Sequence, residues 1–270
     1  MGFHTVTRSQ SSIQSPIQGL ALDHVGFVGP DLAAMREEWR RLGFRPTQPQ
    51  SLFATTAAGD RVDLGQRSCH VMFEQGYIEL TEVRDRAPDH HLAPWLARGP
   101  GLRIVAYSSR DVRAFRADQS EPGMSPVMAA MREVDYGDLA GSMTGQAHFL
   151  WCMRNPTLTP AALECIVEHQ SAELIFQACV QQQPNSVQAL RAVEIKADQV
   201  TGLVLVAREL AAVRRCLTES VVPFTECAGS LGAESSDGST IGAQSGRAAG
   251  PSIRVALASA PGCAVQFVTD

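Results

Sequence analysis

The sequence lacks any Cys-x-x-Cys pair, although it holds seven cysteines. An odd number without paired spacing argues against a disulfide framework or a zinc knot. Most of them lie in apolar runs, as Cys165 does in Leu163-Glu164-Cys165-Ile166-Val167. Buried free thiols in a reducing compartment are therefore expected. The chain also lacks any stretch near the roughly 18 to 20 continuous apolar residues that cross a bilayer. Met1 to Pro16 is polar and rich in Ser and Gln, without the basic start and apolar middle of a secretion signal. The expectation is a cytoplasmic protein with no membrane partner. Positive charge is not in surplus: the net charge is −5, and basic residues stand beside acids, as in Arg36-Glu37-Glu38-Trp39-Arg40-Arg41. That pattern reads as a solvated helix face and gives no reason to expect a nucleic-acid partner. No Gly-x-Ser-x-Gly elbow, phosphate-binding glycine loop or dinucleotide fingerprint occurs.

What the chain does have is a globular balance, with 44% hydrophobic and 19% charged residues over 270 positions. That length suits one large unit or two moderate ones. Leu20 to Val28 reads as a strand, broken by Gly29-Pro30. Asp31 then caps a helix over about Leu32 to Leu42, with Leu32, Met35, Trp39 and Leu42 on one stripe and Gly43 at its end. A weaker strand lies near Ser51 to Thr56. Cys69, Val71 and Phe73 alternate with His70, Met72 and Glu74, and Gln75-Gly76 turns the chain into a second strand through Tyr77, Glu79 and Thr81. The order strand, helix, three strands is complete by Val83.

A second unit starts at Gly101. Leu102 to Tyr107 reads as a strand and Asp111 to Asp118 as a short helix. Val127 to Val134 is strand or helix by periodicity, and Ala147 to Met153 and Leu163 to His169 are strands. In a third unit, Leu190 to Lys196 and Thr201 to Ala207 are strand-like and Glu209 to Leu217 is helical. Cys227 to Gly250 reads as a glycine-kinked loop, and Ile253 to Ala258 and Ala264 to Val268 are closing strands. The fold class is α+β. Residues 1–19 are expected to be an extended or disordered tail, residues 20–185 a pair of βαβββ units and residues 186–270 a third, divergent copy.

Asp23-His24-Val25 opening a strand, Asp31-Leu32 opening a helix that ends Leu42-Gly43-Phe44, and the later Gly76-Tyr77-Ile78-Glu79-Leu80 together resemble a vicinal-oxygen-chelate module. Glu168-His169-Gln170-Ser171-Ala172-Glu173 through Phe176, followed by Pro184-Asn185, resembles the bacterial glyoxalase-like domain proteins of that superfamily. This chain departs from their pattern at Ala172, Phe176, Gln183 and Ser186. The resemblance implies paired modules forming a curved, cup-like mixed sheet with helices outside. It implies a divalent metal (zinc, iron, manganese or nickel) inside the cup, held by His24 on the first strand, Glu79 on the fourth and His169, with Glu168 the alternative to His169. Glu79 would also serve as catalytic ligand or base, and His70 and Tyr77 would contact substrate. The first strand of the second unit reads Arg103-Ile104-Val105, without a ligand, which leaves a metal-free cup as the other reading.

Each of these residues has a structural reading too. A lone His24 in an apolar strand can be a hydrogen-bonded core residue, and His70 can sit at the surface. Strand alternation alone does not say whether Glu79 faces solvent or the cup. The leading expectation is a metal-assisted lyase or isomerase acting on a small oxygenated metabolite. The alternative is a metal-free protein that sequesters a small molecule, and a third is a non-catalytic scaffold. A homodimer is compatible with all three.

Overall fold

The computed structural model describes residues 20–56, 58–84, 90–118, 123–196, 198–228, 238–241 and 250–270. The expected tail at residues 1–19 lies outside these, as does most of the glycine-rich segment. The first eight strands are β1 (Leu22–Gly29), β2 (Gln50–Thr55), β3 (Arg61–Met72), β4 (Tyr77–Val83), β5 (Gly101–Ser108), β6 (Met128–Val134), β7 (Gly145–Met153) and β8 (Leu163–His169). They form a closed barrel in the order β1-β4-β3-β2-β6-β7-β8-β5. The barrel is two equivalent halves. In each, the first and fourth strands run parallel, β1 with β4 and β5 with β8. The halves are stitched by antiparallel pairs β1·β5 and β2·β6. The α+β expectation holds, and the curved sheets close fully, which leaves the barrel no unpaired edge. Val127 to Val134, undecided by periodicity, is strand β6.

Helices α1 (Leu32–Arg41), α2 (Ala93–Leu96), α3 (Val112–Asp118), α4 (Ala172–Ile175) and α5 (Ala178–Gln181) complete this part of the chain. Asp31 accepts from the Ala34 amide at 2.9 Å and starts α1. Gly43, at φ +85°, ends it with two reverse bonds, Gly43 N–H to Arg40 O and Phe44 N–H to Trp39 O. A side chain at Gly43 would collide with Cys216 and Asn185, so only glycine closes this helix against the second sheet.

That sheet contains β9 (Val187–Lys196), β10 (Gln199–Ala207), β11 (Thr225–Cys227), β12 (Gly238–Ile241), β13 (Ser252–Ala256) and β14 (Ala264–Val268), with α6 (Leu210–Glu219) following β10. Its order is β11-β13-β14-β10-β9-β12, and β10 pairs parallel with β14. The order β10-β14-β13-β11 repeats that of β1-β4-β3-β2 in the barrel.

The largest core lies between these layers. Val25, Phe27, Ile78 and Leu80 from the outside of the barrel pack with Trp39 of α1, Val213 of α6 and Leu203, Val265 and Phe267 of the second sheet. Trp39 is fully buried, and truncating such a side chain to alanine costs about 3–5 kcal/mol. Since side chains alternate along a strand, committing Val25, Ile78 and Leu80 to this core turns His24, Tyr77, Glu79 and Thr81 into the barrel. Among the described residues no helix is long and apolar enough to cross a membrane.

Candidate active site

A cavity of about 100 Å³ occupies the barrel interior, and every strand of the barrel lines it. Its polar wall is His24 from β1, Gln66 and His70 from β3, Tyr77 and Glu79 from β4, and Arg132 from β6. The other half is apolar, with Ile104, Phe149, Leu163, Cys165 and Val167. Ile104 reaches the cavity because Gly26 stands opposite it; a Cβ there would lie 2.6 Å from its terminal carbon. A larger space of about 720 Å³ shares His91, Ala130 and Trp151 with the cavity.

His24 is fixed on three sides. Its ring stacks on Tyr77 with centroids 4.4 Å apart. Its Nδ1 lies 2.7 Å from Asp23 Oδ1, and its Nε2 lies 3.9 Å from Glu79 Oε2. Asp23 also takes His169 Nε2, at 3.0 Å from each carboxylate oxygen. Burial alone would raise the Asp23 carboxyl. The hydrogen bonds and charge of His169 and His24 outweigh that and hold it well below the usual carboxylate range. An ionised carboxylate only accepts, so the proton of His24 sits on Nδ1 and Nε2 is turned toward Glu79 and the cavity.

Neighbouring residues of a strand ordinarily point to opposite faces, yet Asp23 and His24 share one side. The β1·β5 register shifts between Leu22 and His24, so Asp23 is the extra residue of a bulge. The bulge re-aims its carboxylate at the His24 ring.

Glu79 is buried, and its Oε1 accepts from Ser68 at 2.6 Å, Thr81 at 2.8 Å and Gln66 Nε2 at 3.1 Å. These three donors lock the carboxyl group and leave Oε2 for His24 and the cavity. On the far side of β3, Arg132 Nη1 lies 2.9 Å from His70 Nε2. A guanidinium only donates, so His70 accepts and is neutral. Burial, then Arg132 and His24, push its imidazole well below the ordinary histidine value. Burial first, then the charge on Asp23, push the Tyr77 phenol well above its ordinary value, so it stays protonated.

The structure thus places His24, Glu79, His70 and Tyr77 on one cavity wall. It places His169 away from that wall, joined to His24 through Asp23. Glu168 turns elsewhere: its Oε2 accepts from the Val112 amide at the start of α3. Among the described residues no three His, Cys, Asp or Glu side chains cluster to hold a metal ion. Two donor atoms converge in the cavity, His24 Nε2 and Glu79 Oε2, and the opposing wall offers Ile104 and Cys165. Burial, then the charges on Asp23 and Glu79, push the Cys165 thiol well above its ordinary value, so it is no thiolate ligand. A catalytic metal is held by three protein ligands as a rule, and this donor set does not fit one.

Sequence reasoning missed Asp23, Gln66, Ser68, Thr81 and Arg132. The alternating polar series Gln66, Ser68, His70 on one strand was a usable signal, since it marks a single polar face. The alternation of Tyr77, Glu79 and Thr81 was the same signal for Thr81, while the Asp23 bulge and the undecided segment holding Arg132 hid the other two.

The glyoxalase-like domain family model matches residues 22–213. No curated protein matches the chain. Among solved structures, a Streptomyces coelicolor methylmalonyl-CoA epimerase variant in complex with 2-nitronate-propionyl-CoA is 20% identical, with a TM-score of 0.36. The match covers 56% of this chain and 99% of that one. The methylmalonyl-CoA epimerase of Mycobacterium tuberculosis is 21% identical with a TM-score of 0.33, over 55% and 87% of the two chains. A hypothetical protein from Staphylococcus aureus is 9% identical with a TM-score of 0.47, over 93% and 86%.

Proposed function

The chain belongs to the glyoxalase-like domain family of the vicinal-oxygen-chelate superfamily, and from that premise we propose that its barrel cavity is the active site of a proton-transferring lyase or isomerase. The substrate is a small oxygenated metabolite. His24 acts as general base through Nε2, Asp23 orients it, and Glu79 exchanges the proton with it. The observation that carries this reading is the Asp23–His24 bond, which turns a basic nitrogen toward Glu79 in a largely apolar cavity. An oriented base within reach of a bound C–H or O–H contributes about 10²–10⁴-fold to such a step. The apolar half of the wall lowers the local dielectric and so strengthens the electrostatics inside.

Metal assistance has narrower support. It rests on the convergence of His24 Nε2 and Glu79 Oε2, two donors where three are usual. The repeated strand order supports reading residues 20–185 as paired modules and residues 186–270 as a third.

The test is deuterium uptake. Small carbonyl compounds with an acidic C–H are incubated with the protein in D2O and followed by proton NMR. Catalysed exchange with at least one compound, lost in His24→Gln with the fold retained, is the expected result. Ligands that bind in the cavity without any catalysed exchange support instead a sequestering protein of the same fold.

A further inference from the structure

Arg132 is 5% exposed, and no carboxylate lies within ion-pair distance of it among the described residues. Its Nη1 is spent on the His70 ring. Its Nη2 is buried with no partner at all. A buried, unpaired cation is costly unless something pairs with it, and a guanidinium edge fits a planar two-oxygen anion. A second buried atom in the cavity wall lacks a partner: Gln66 Oε1. The Gln66 amide is oriented by its own contacts, since Nε2 reaches Glu79 Oε1 and Ser68 Oγ. Its free end is therefore the oxygen, an acceptor waiting for a donor.

These two groups stand in one row. Leu52 of β2 pairs with Gln66 on one side and with Arg132 on the other. Two strand spacings separate them, about 9–10 Å between backbones, with both side chains lining the same cavity. One wall thus offers a cationic donor and a neutral acceptor, flanking an apolar residue.

We propose that Arg132 and Gln66 make this cavity a recognition site for a small hydroxycarboxylate, the carboxylate on Arg132 Nη2 and the hydroxyl donating to Gln66 Oε1. Taken as the substrate class, this rests on the proton-transfer reading; taken as ligand binding, it stands without it.

Titration calorimetry at constant ionic strength with three matched probes tests it. 2-Hydroxybutyrate has both groups, butyrate lacks the hydroxyl, and methyl 2-hydroxybutyrate lacks the charge. The wild-type protein should bind 2-hydroxybutyrate at least tenfold tighter than the ester and several-fold tighter than butyrate. Arg132→Met should weaken 2-hydroxybutyrate at least thirtyfold while leaving the ester unchanged, and Arg132→Lys should restore part of the loss. Gln66→Met should remove the preference over butyrate alone. A merely structural Arg132 would weaken acid and ester alike. Equal binding of acid and ester, no binding of either acid, or undiminished binding by Arg132→Met overturns the proposal. His24→Gln should abolish exchange and keep 2-hydroxybutyrate bound. Loss of exchange with binding intact leaves carboxylate recognition standing, and exchange in a protein indifferent to the carboxylate leaves proton transfer standing.

Discussion

Asp23 and His169 meet where the two halves of the barrel join, with His169 Nε2 3.0 Å from both oxygens of the carboxylate. The same carboxylate holds His24 Nδ1 at 2.7 Å. One buried anion therefore collects two imidazole N–H groups from different halves, and only one of those rings faces the cavity. His169 supports the base through Asp23.

Replacing that anion tests the arrangement. In Asp23→Asn a single amide oxygen must serve two donors, and its NH2 group faces a ring N–H. His24 then moves its proton to Nε2 and loses the lone pair directed at the cavity. Catalysed deuterium exchange should fall about 10²–10⁴-fold. Binding of 2-hydroxybutyrate should change only a few-fold, since Asp23 does not line the cavity. Nitrogen-15 shifts of the His24 ring should report the tautomer change. Unaltered exchange would remove Asp23 from the site.

Much of the first half-barrel was legible because its signals are local. The Asp31 cap, the Gly43 stop and the alternation of Cys69 to Thr81 each follow from short-range sterics and a two-residue period. That alternation also put His70 and Glu79 on definite faces. Which face was interior depended on α1, α6 and Phe267 packing from the far side, a long-range choice that no window of residues contains. His169 was placed by resemblance to a family pattern as a ligand, and the Asp23 bulge gives it another partner. A bulge is a property of two paired strands, and β5 begins more than seventy residues after β1 ends.

Stability should fall in mild acid because His70, buried, and His91, half-buried, are both held neutral. Burial, then Arg132 and His24, depress His70, and burial, then His90, push His91 down to about 3. A histidine depressed on folding contributes stability that is complete above its unfolded value near 6.5. That contribution is lost as pH falls toward the folded value. For His91 the loss is about 2 kcal/mol at pH 5. Asp23, also depressed, adds its own loss only below about pH 4. Thermal unfolding from pH 8 to pH 5 should show a falling midpoint. His91→Phe should keep the ring against Trp151 and reduce that fall by several degrees. A midpoint independent of pH down to 5 would contradict the neutral assignment.

The seven cysteines are all free in the structure, and only Cys227 is exposed. Burial pushes Cys69 and Cys263 up to about 12 and Cys152 to about 11. Thiolates, not thiols, attack alkylating reagents. In native protein at pH 7.5, iodoacetamide should modify Cys227 at least a hundredfold faster than Cys69, Cys152, Cys165 or Cys263, as peptide mass mapping would show. Under denaturing, non-reducing conditions all seven should titrate. A lower count would reveal a disulfide and overturn the free-thiol reading.

Glu79 offers the sharpest choice between proton transfer and metal assistance. Its Oε1 is fixed by Ser68, Thr81 and Gln66, and its Oε2 stands 3.9 Å from His24 Nε2. In Glu79→Gln the amide oxygen keeps the place of Oε1 and its donors, so the fold should survive, with a midpoint within about 3 °C of wild type, roughly 1 kcal/mol. The NH2 group then faces His24 and donates to the lone pair that the reaction needs. Exchange should be lost, while 2-hydroxybutyrate binding is kept or strengthened, because a carboxyl group next to an anionic ligand has been replaced by a neutral one. Zinc, manganese and nickel titrated into the wild-type protein should bind weakly, since two fixed donors fall short of the three a catalytic metal uses. Exchange by chelator-treated protein should equal that of metal-supplemented protein. If added metal instead raised exchange at least tenfold and Glu79→Gln abolished its binding, the metal-assisted reading would replace this one, with His24 and Glu79 as ligands and the substrate supplying the remaining oxygens.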